Sequence, residues 1–164
     1  MVSDCPPTFR VNFLTIMNTC KERNFELITG IAAYSESDLR MSPTPVNGEK
    51  YILESDLAIQ ESGGVVVTFD PKSATLNETD QMALAGRSYE CILEFTLSRP
   101  TSEQYNSIDY LMDANRQLVV ETYGGDRFLL PSTAEAYDVS LCWSGKLLSV
   151  KLSVTNTTGI LHIV

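Results

Sequence analysis

Ser88-Tyr89-Glu90-Cys91-Ile92-Leu93-Glu94-Phe95-Thr96-Leu97 decides the fold class. Tyr89, Cys91, Leu93, Phe95 and Leu97 fall at every second position, and Ser88, Glu90, Ile92, Glu94 and Thr96 fall between them. Successive side chains of a strand point to opposite faces, so this spacing predicts a strand with one buried and one wet face. Pro100 stops it.

Downstream, Thr101-Ser102-Glu103-Gln104 has the form of a helix capping box. Thr101 is placed to accept from a first-turn N–H, and Gln104 to reach back to the cap. Glu103 stands in the first turn, where the helix dipole favours an anion. Tyr105, Ile108, Leu111 and Met112 recur at helical spacing. A helix is predicted over about 102–114, with this stripe in the core. Asn115 releases the chain into a strand from Gln117 to Tyr123. Gly124-Gly125 turns it, and Arg127 to Leu130 returns. Tyr137 to Trp143 alternates again and predicts a strand with Val139, Leu141 and Trp143 in the core. Ser144-Gly145-Lys146 turns into a further strand carrying Leu148, Val150, Leu152 and Val154 on one face. Asn156 to Gly159 is another turn, and Ile160 to Val164 a last short strand.

Upstream, Val65-Val66-Val67-Thr68-Phe69 is a β-branched run of the kind found in buried strands. Asp70-Pro71 ends it, and the polar residues to Gly86 predict a long loop at about 70–86. Ser35 to Lys50 holds Pro43, Pro45 and Asn47-Gly48, which predict a second long loop at about 35–50. Tyr51, Leu53 and Leu57 mark a weaker strand, and Phe25 to Tyr34 reads as one strand. Thr8 to Cys20 fits a strand through Phe9, Val11 and Phe13, or a short helix through Leu14 and Met17. No compositional break divides the chain and no repeat recurs. The expectation is a single β-rich domain over 1–164: an antiparallel β-sandwich or small barrel with one helix packed on it.

A chain of 164 residues with 43% hydrophobic content buries a core without needing a metal or disulfide. No apolar run reaches the ~18 residues of a membrane-spanning helix, and no membrane association is expected. The first residues, Met1-Val2-Ser3-Asp4-Cys5-Pro6-Pro7, lack a basic region followed by an apolar one, so production in the cytoplasm is expected. Cys5, Cys20, Cys91 and Cys142 are not spaced as metal ligands and read as small buried hydrophobes. The net charge of −9, from 12 basic against 21 acidic residues, disfavours general attraction to nucleic acid.

Catalytic chemistry finds little footing. The only histidine, His162, lies in an apolar strand, and there is no nucleophile elbow, P-loop or dinucleotide glycine fingerprint. Glu90 and Glu94 share a strand face but stand roughly 13 Å apart at ~3.3 Å per residue, beyond the ~5–9.5 Å of glycosidase pairs. No catalytic, cofactor-binding or metal-binding residue is assigned, and no cofactor is expected. The hydrophobic strand Ile160-Leu161-His162-Ile163-Val164 would be an aggregation hazard at an open edge. It either closes its own sheet or joins a neighbouring subunit's.

The order of elements from Gly86 to Val164 resembles small virion or tail proteins of tailed bacteriophages, notably those of gut Bacteroidetes, and the sandwich-plus-helix plan of tail-tube subunits. The likeness lies in the Tyr89–Phe95 strand, the capped helix, the Leu118–Asp126 hairpin with Tyr123 before its glycines, and the strands closing on Thr157-Thr158-Gly159-Ile160. It implies a structural, non-enzymatic subunit of a tail tube, a head–tail connector or a tail-completion protein. Such a subunit self-assembles into a ring or tube with other virion proteins, in the host bacterial cytoplasm. It implies an acidic lumen along which DNA passes without adhering, with Glu90, Glu94 and Glu121 as candidate lumen residues. Two other readings stand beside it. One is a binding module for glycan or protein that uses an exposed Tyr123, Tyr137 or Trp143. The other is a hydrolase with two convergent buried carboxylates.

Overall fold

The Ser88–Leu97 alternation lies inside the longest strand of the fold. The structure is a computed structural model that describes residues 22–25, 27–35, 38, 50–57, 63–83, 86–130 and 136–164. Most of the expected 35–50 loop, the Thr8–Cys20 segment, Cys5 and Cys20 lie outside the described residues. In chain order the elements are β1 (Glu22–Phe25), β2 (Ile28–Ser35), β3 (Tyr51–Ile52), α1 (Glu54–Leu57), β4 (Val65–Val66), β5 (Thr75–Ala83), β6 (Gly86–Ser98), α2 (Ser102–Met112), β7 (Arg116–Thr122), β8 (Arg127–Leu130), β9 (Asp138–Ser144), β10 (Leu147–Asn156) and β11 (Leu161–Ile163).

The strands form two separate sheets and do not close into a barrel. The first has the order β1-β5-β6-β10-β9, and the second β3-β11-β8-β7-β2-β4. Every pairing is antiparallel except the parallel contact of β11 with β3. The main core lies between the sheets. Cys91, Leu93, Phe95 and Leu97 of β6 meet Ile31, Ala33, Leu118 and Val120 there, with Ile108 and Leu111 of α2. Burying such a side chain contributes about 1.5–3 kcal/mol. A smaller core covers the other face of the second sheet, where Leu57 of α1 packs with Tyr34, Ile52, Val119, Leu129, Leu161 and Ile163. Consecutive apolar pairs such as Val119-Val120 and Leu129-Leu130 fit a sheet buried on both faces.

The helix forms as its sequence predicts. Gln104 N donates to Thr101 Oγ1 at 3.3 Å, and Thr101 N donates to the Gln104 side chain at 2.9 Å. It ends at Met112, two residues short of the expected 114, and only Ile108 and Leu111 are buried. Tyr105 and Met112 are exposed. The helix runs between the sheets at the side where β9 and β4 form their edges.

Several expectations are corrected. The 70–86 loop is largely β5, an interior strand paired to both β1 and β6. Its inward positions carry Leu76, Glu78 and Asp80, all buried, so two carboxylates occupy places where a core strand normally shows apolar residues. Phe25 to Tyr34 is two strands, because the chain crosses from one sheet to the other at Leu27, whose φ is +57°. Only Val65 and Val66 of the 65–69 run form a strand, and β4 is an edge with Val66 exposed. The terminal strand is not an edge: β11 lies between β3 and β8 and is paired on both sides, which removes Ile160, Leu161, His162, Ile163 and Val164 as an inter-subunit edge. Ile160, Leu161 and Ile163 are buried.

Replacing Thr101 by alanine removes the side-chain half of the cap. It is expected to lower stability by about 1 kcal/mol, seen as a lower urea midpoint with unchanged m-value. An unchanged midpoint would mean that Ile108 and Leu111 hold the helix without its cap.

Candidate functional site

Glu78 sits at the centre of β5, 2% exposed, on the side of the sandwich opposite α2. The antiparallel register places Arg23 of β1 and Cys91 of β6 directly across from it. Arg23 Nη1 reaches Glu78 Oε1 at 3.2 Å, and Lys50 Nζ reaches Oε2 at 3.0 Å. The backbone N–H of Ile160 donates to Oε2 as well. A buried carboxylate is tolerated when it is paired and its remaining lone pairs are satisfied, and both conditions hold here. Lys50 Nζ also lies 3.4 Å from the centroid of the Tyr89 ring, a cation–π contact. Burial lowers the Lys50 ammonium from its ordinary value, against the opposing pull of the Glu78 hydrogen bond and charge.

The turn from Asn156 to Ile160 makes this packing possible. Asn156 Oδ1 accepts from Thr158 N at 3.1 Å and from Gly159 N. Gly159 has φ +73°, and a Cβ there would overlap Lys50 Nζ and Glu78 Oε2. Only glycine meets both demands. Together these groups tie β1, β5 and β6 of one sheet to the Lys50 and Ile160 ends of β3 and β11 in the other. Both Glu78 oxygens are engaged by cations, so the arrangement is a structural cross-tie and leaves no free general base at this carboxylate. Cys91, buried beside it, has its thiol pushed up to about 12, first by burial and then by the Glu78 charge. Among the described residues no group of three or more His, Cys, Asp or Glu could hold a metal ion.

The second feature is β9, which among the described residues forms one edge of the first sheet. Along β9, Asp138, Ser140, Leu141, Cys142, Trp143 and Ser144 are all exposed. Trp143 is 53% exposed and Leu141 41%, so the expectation that both are core is overturned. Their alternation with Val139 is real, and Val139 does pack on the core. The strand lies at the rim, where the opposite sheet no longer covers that face. The Trp143 ring lies 6.4 Å from the Tyr105 ring of α2.

The third feature is a groove of about 440 Å³ beside β2 and β4. Leu27, Ile28, Val66, Phe69, Lys72 and Tyr123 line it. Tyr123 is 81% exposed; it and Leu27 also line a neighbouring hollow of about 310 Å³ with Phe25 and Phe128. Leu27 and Lys72 both have positive φ, which is costly for residues with a Cβ. Tyr123 N donates to Leu27 O at 2.9 Å and fixes the first of them.

The candidate lumen residues do not share a surface. Glu90 and Glu94 lie on the outer face of β6, and Glu94 pairs with Lys151 Nζ at 3.5 Å. Glu121 lies on β7 in the other sheet. Val120 points into the main core and Val119 into the smaller one, so Glu121 shares the outward side with Val119. The three carboxylates therefore occupy opposite outer faces of the sandwich. Of the three candidate aromatics, Tyr123 and Trp143 are exposed in different places. Tyr137 is buried, and its hydroxyl donates to Leu130 O at 2.7 Å. Sequence reasoning missed Glu78. Its one signal was a charged residue on alternate positions with Leu76 and Asp80, inside a stretch too polar to suggest a core strand.

Glu78→Gln removes the charge that both cations face and is expected to cost about 3 kcal/mol, measured by urea unfolding. A cost below about 1 kcal/mol, the range of an exposed ion pair, would deny it the role of cross-tie. Cys91 gives a pH test. Its folded pKa lies above the unfolded value, so its contribution is intact below about pH 9 and is lost as pH rises toward about 12. Wild type should lose about 1.4 kcal/mol more per pH unit in that window than Cys91→Ala; parallel slopes would contradict the assignment. The chain matches no protein-family model, no curated protein and no solved structure.

Proposed function

We propose that this chain is a non-catalytic structural subunit that works by assembling with further copies of itself. The virion is its proposed setting, as a tail-tube, connector or tail-completion component. The observation that carries self-assembly is β9, a seven-residue edge strand with Leu141 and Trp143 exposed. Exposed apolar edges invite pairing with another chain, and proteins that do not use them blunt them. The virion setting rests on the resemblance of the Gly86–Val164 element order. The net charge of −9 suits a surface along which DNA moves without adhering. Glu90 and Glu94 share one outer face and would be its lumen residues, with Lys151 reducing the local negative charge.

A second reading is favoured by Tyr123, exposed at the mouth of a concave apolar groove. That is the arrangement of a module that binds a glycan or a peptide.

Multi-angle light scattering with negative-stain imaging separates the two. The subunit reading expects masses at multiples of the monomer, and rings or short tubes at high concentration. A strictly monomeric protein overturns it. The module reading expects a monomer whose glycan or peptide binding falls at least tenfold in Tyr123→Ala.

A further inference from the structure

We propose that the groove beside β2 takes the C-terminal end of a partner peptide, an extended segment whose last side chain is apolar and whose free carboxylate pairs with Lys72. The proposal rests on the module reading of this groove and names its ligand.

The groove exists because two chain segments leave the second sheet here. β4 pairs with β2 at Val66↔Ala32 and Val65↔Ala33, and Val67 N donates to Ile31 O at 2.9 Å. Beyond Val67 the chain turns away to the first sheet, where Asp70 N donates to Thr96 O at 2.9 Å. On the other side, β2 itself begins just past the Leu27 crossing. Ile28 and Gly30 keep β7 as a neighbour, through Thr122 and Glu121. On the groove side they have no strand among the described residues. An extended peptide adds to a sheet at such an open stretch. Main-chain hydrogen bonds then give affinity, and a side-chain pocket gives specificity.

The walls fit an apolar side chain. Leu27, Ile28, Val66, Phe69 and Pro71 line the groove, and the Phe69 ring is held with its centroid 5.9 Å from that of Phe95. The hydroxyls of the wall are already engaged. Thr29 Oγ1 donates to Glu121 O at 3.3 Å, and Thr68 Oγ1 accepts from Gln104 at 3.1 Å. The volume of about 440 Å³ lies within the ordinary range of ligand sites.

Charge selects which part of a peptide enters. Among the described residues Lys72 is the only charged residue that lines the groove. It is exposed and makes no ion pair among them. The neighbouring acid, Asp70, is turned to the first sheet, where it accepts from Ser98 Oγ at 2.6 Å and Thr96 Oγ1 at 3.4 Å. In a chain of net charge −9, an apolar groove with a lone cation in its wall is complementary to an anion. A terminal carboxylate sets one negative charge directly beside the last side chain, and so answers both features at once. A neutral glycan or an uncharged internal segment would leave the lysine without a partner.

The test is fluorescence polarisation with labelled hexapeptides that differ only in the last residue, which is valine, leucine, isoleucine or phenylalanine. Each is used as the free acid and as the C-terminal amide. At least one free acid should bind saturably, and its amide at least about threefold more weakly, a step within reach of an exposed ion pair. Lys72→Met should bring the acid down to the level of the amide with circular dichroism unchanged. Tyr123→Ala should weaken both forms alike. If acid and amide bind equally, or Lys72→Met changes neither, while Tyr123→Ala still weakens both, the carboxylate contact is overturned and the module reading stands. If no peptide binds but a glycan array or decanoate does, the peptide end is overturned and the groove remains a binding site. If nothing binds, both fall.

Discussion

The pairing of one buried carboxylate with two cations governs how this sandwich is closed. Glu78 points inward from the middle of β5, where its charge could not stay without partners. Arg23 and Lys50 supply the positive charge, and the Ile160 N–H is a third donor. Those groups come from β1, from the residue before β3 and from the start of the last strand. Satisfying one carboxylate therefore fixes where three distant parts of the chain meet. The Asn156–Ile160 turn follows from this, since Gly159 must have no Cβ for the lysine to lie over Tyr89. Phe25 against Phe128, with ring centroids 4.6 Å apart, seals the same side with apolar contact.

The opposite side of the sandwich is closed by different physics. There the chain inserts α2, held by a capping box and anchored through Ile108 and Leu111. The helix leaves Leu141 and Trp143 of β9 exposed. The ionic side of the molecule is thus sealed, and the helical side keeps an apolar strand in solvent. This asymmetry connects fold to proposed function. Under the proposed self-assembly, the exposed β9 edge is one surface available for contact with another copy.

Much of the second half of the chain was legible. Strand β6, the capped helix and the hairpins at Gly124-Gly125 and Gly145 follow local rules of alternation, capping and turn chemistry, which act over a few residues. The first half was less so. β5 escaped because its inward positions are carboxylates whose partners lie far along the chain. The 25–34 stretch hid a sheet crossing because Leu27 takes a left-handed conformation that no local signal requires. The candidate sites were legible only in type. The exposed aromatic and the apolar edge strand were both anticipated, but the edge was placed on Ile160–Val164 and Trp143 was placed in the core.

Sequence alone determined the β-rich class, the helix and its cap, the alternation that divides β6, β9 and β10 into two faces, and the acidic balance. These depend on side-chain periodicity and composition, which are properties of the unfolded chain. Tertiary structure decided which faces the sheets cover, which strands become edges, and which carboxylates meet cations. Those outcomes depend on the order of strands across a sheet. β11 lies between two strands, whereas β9 has one strand neighbour among the described residues.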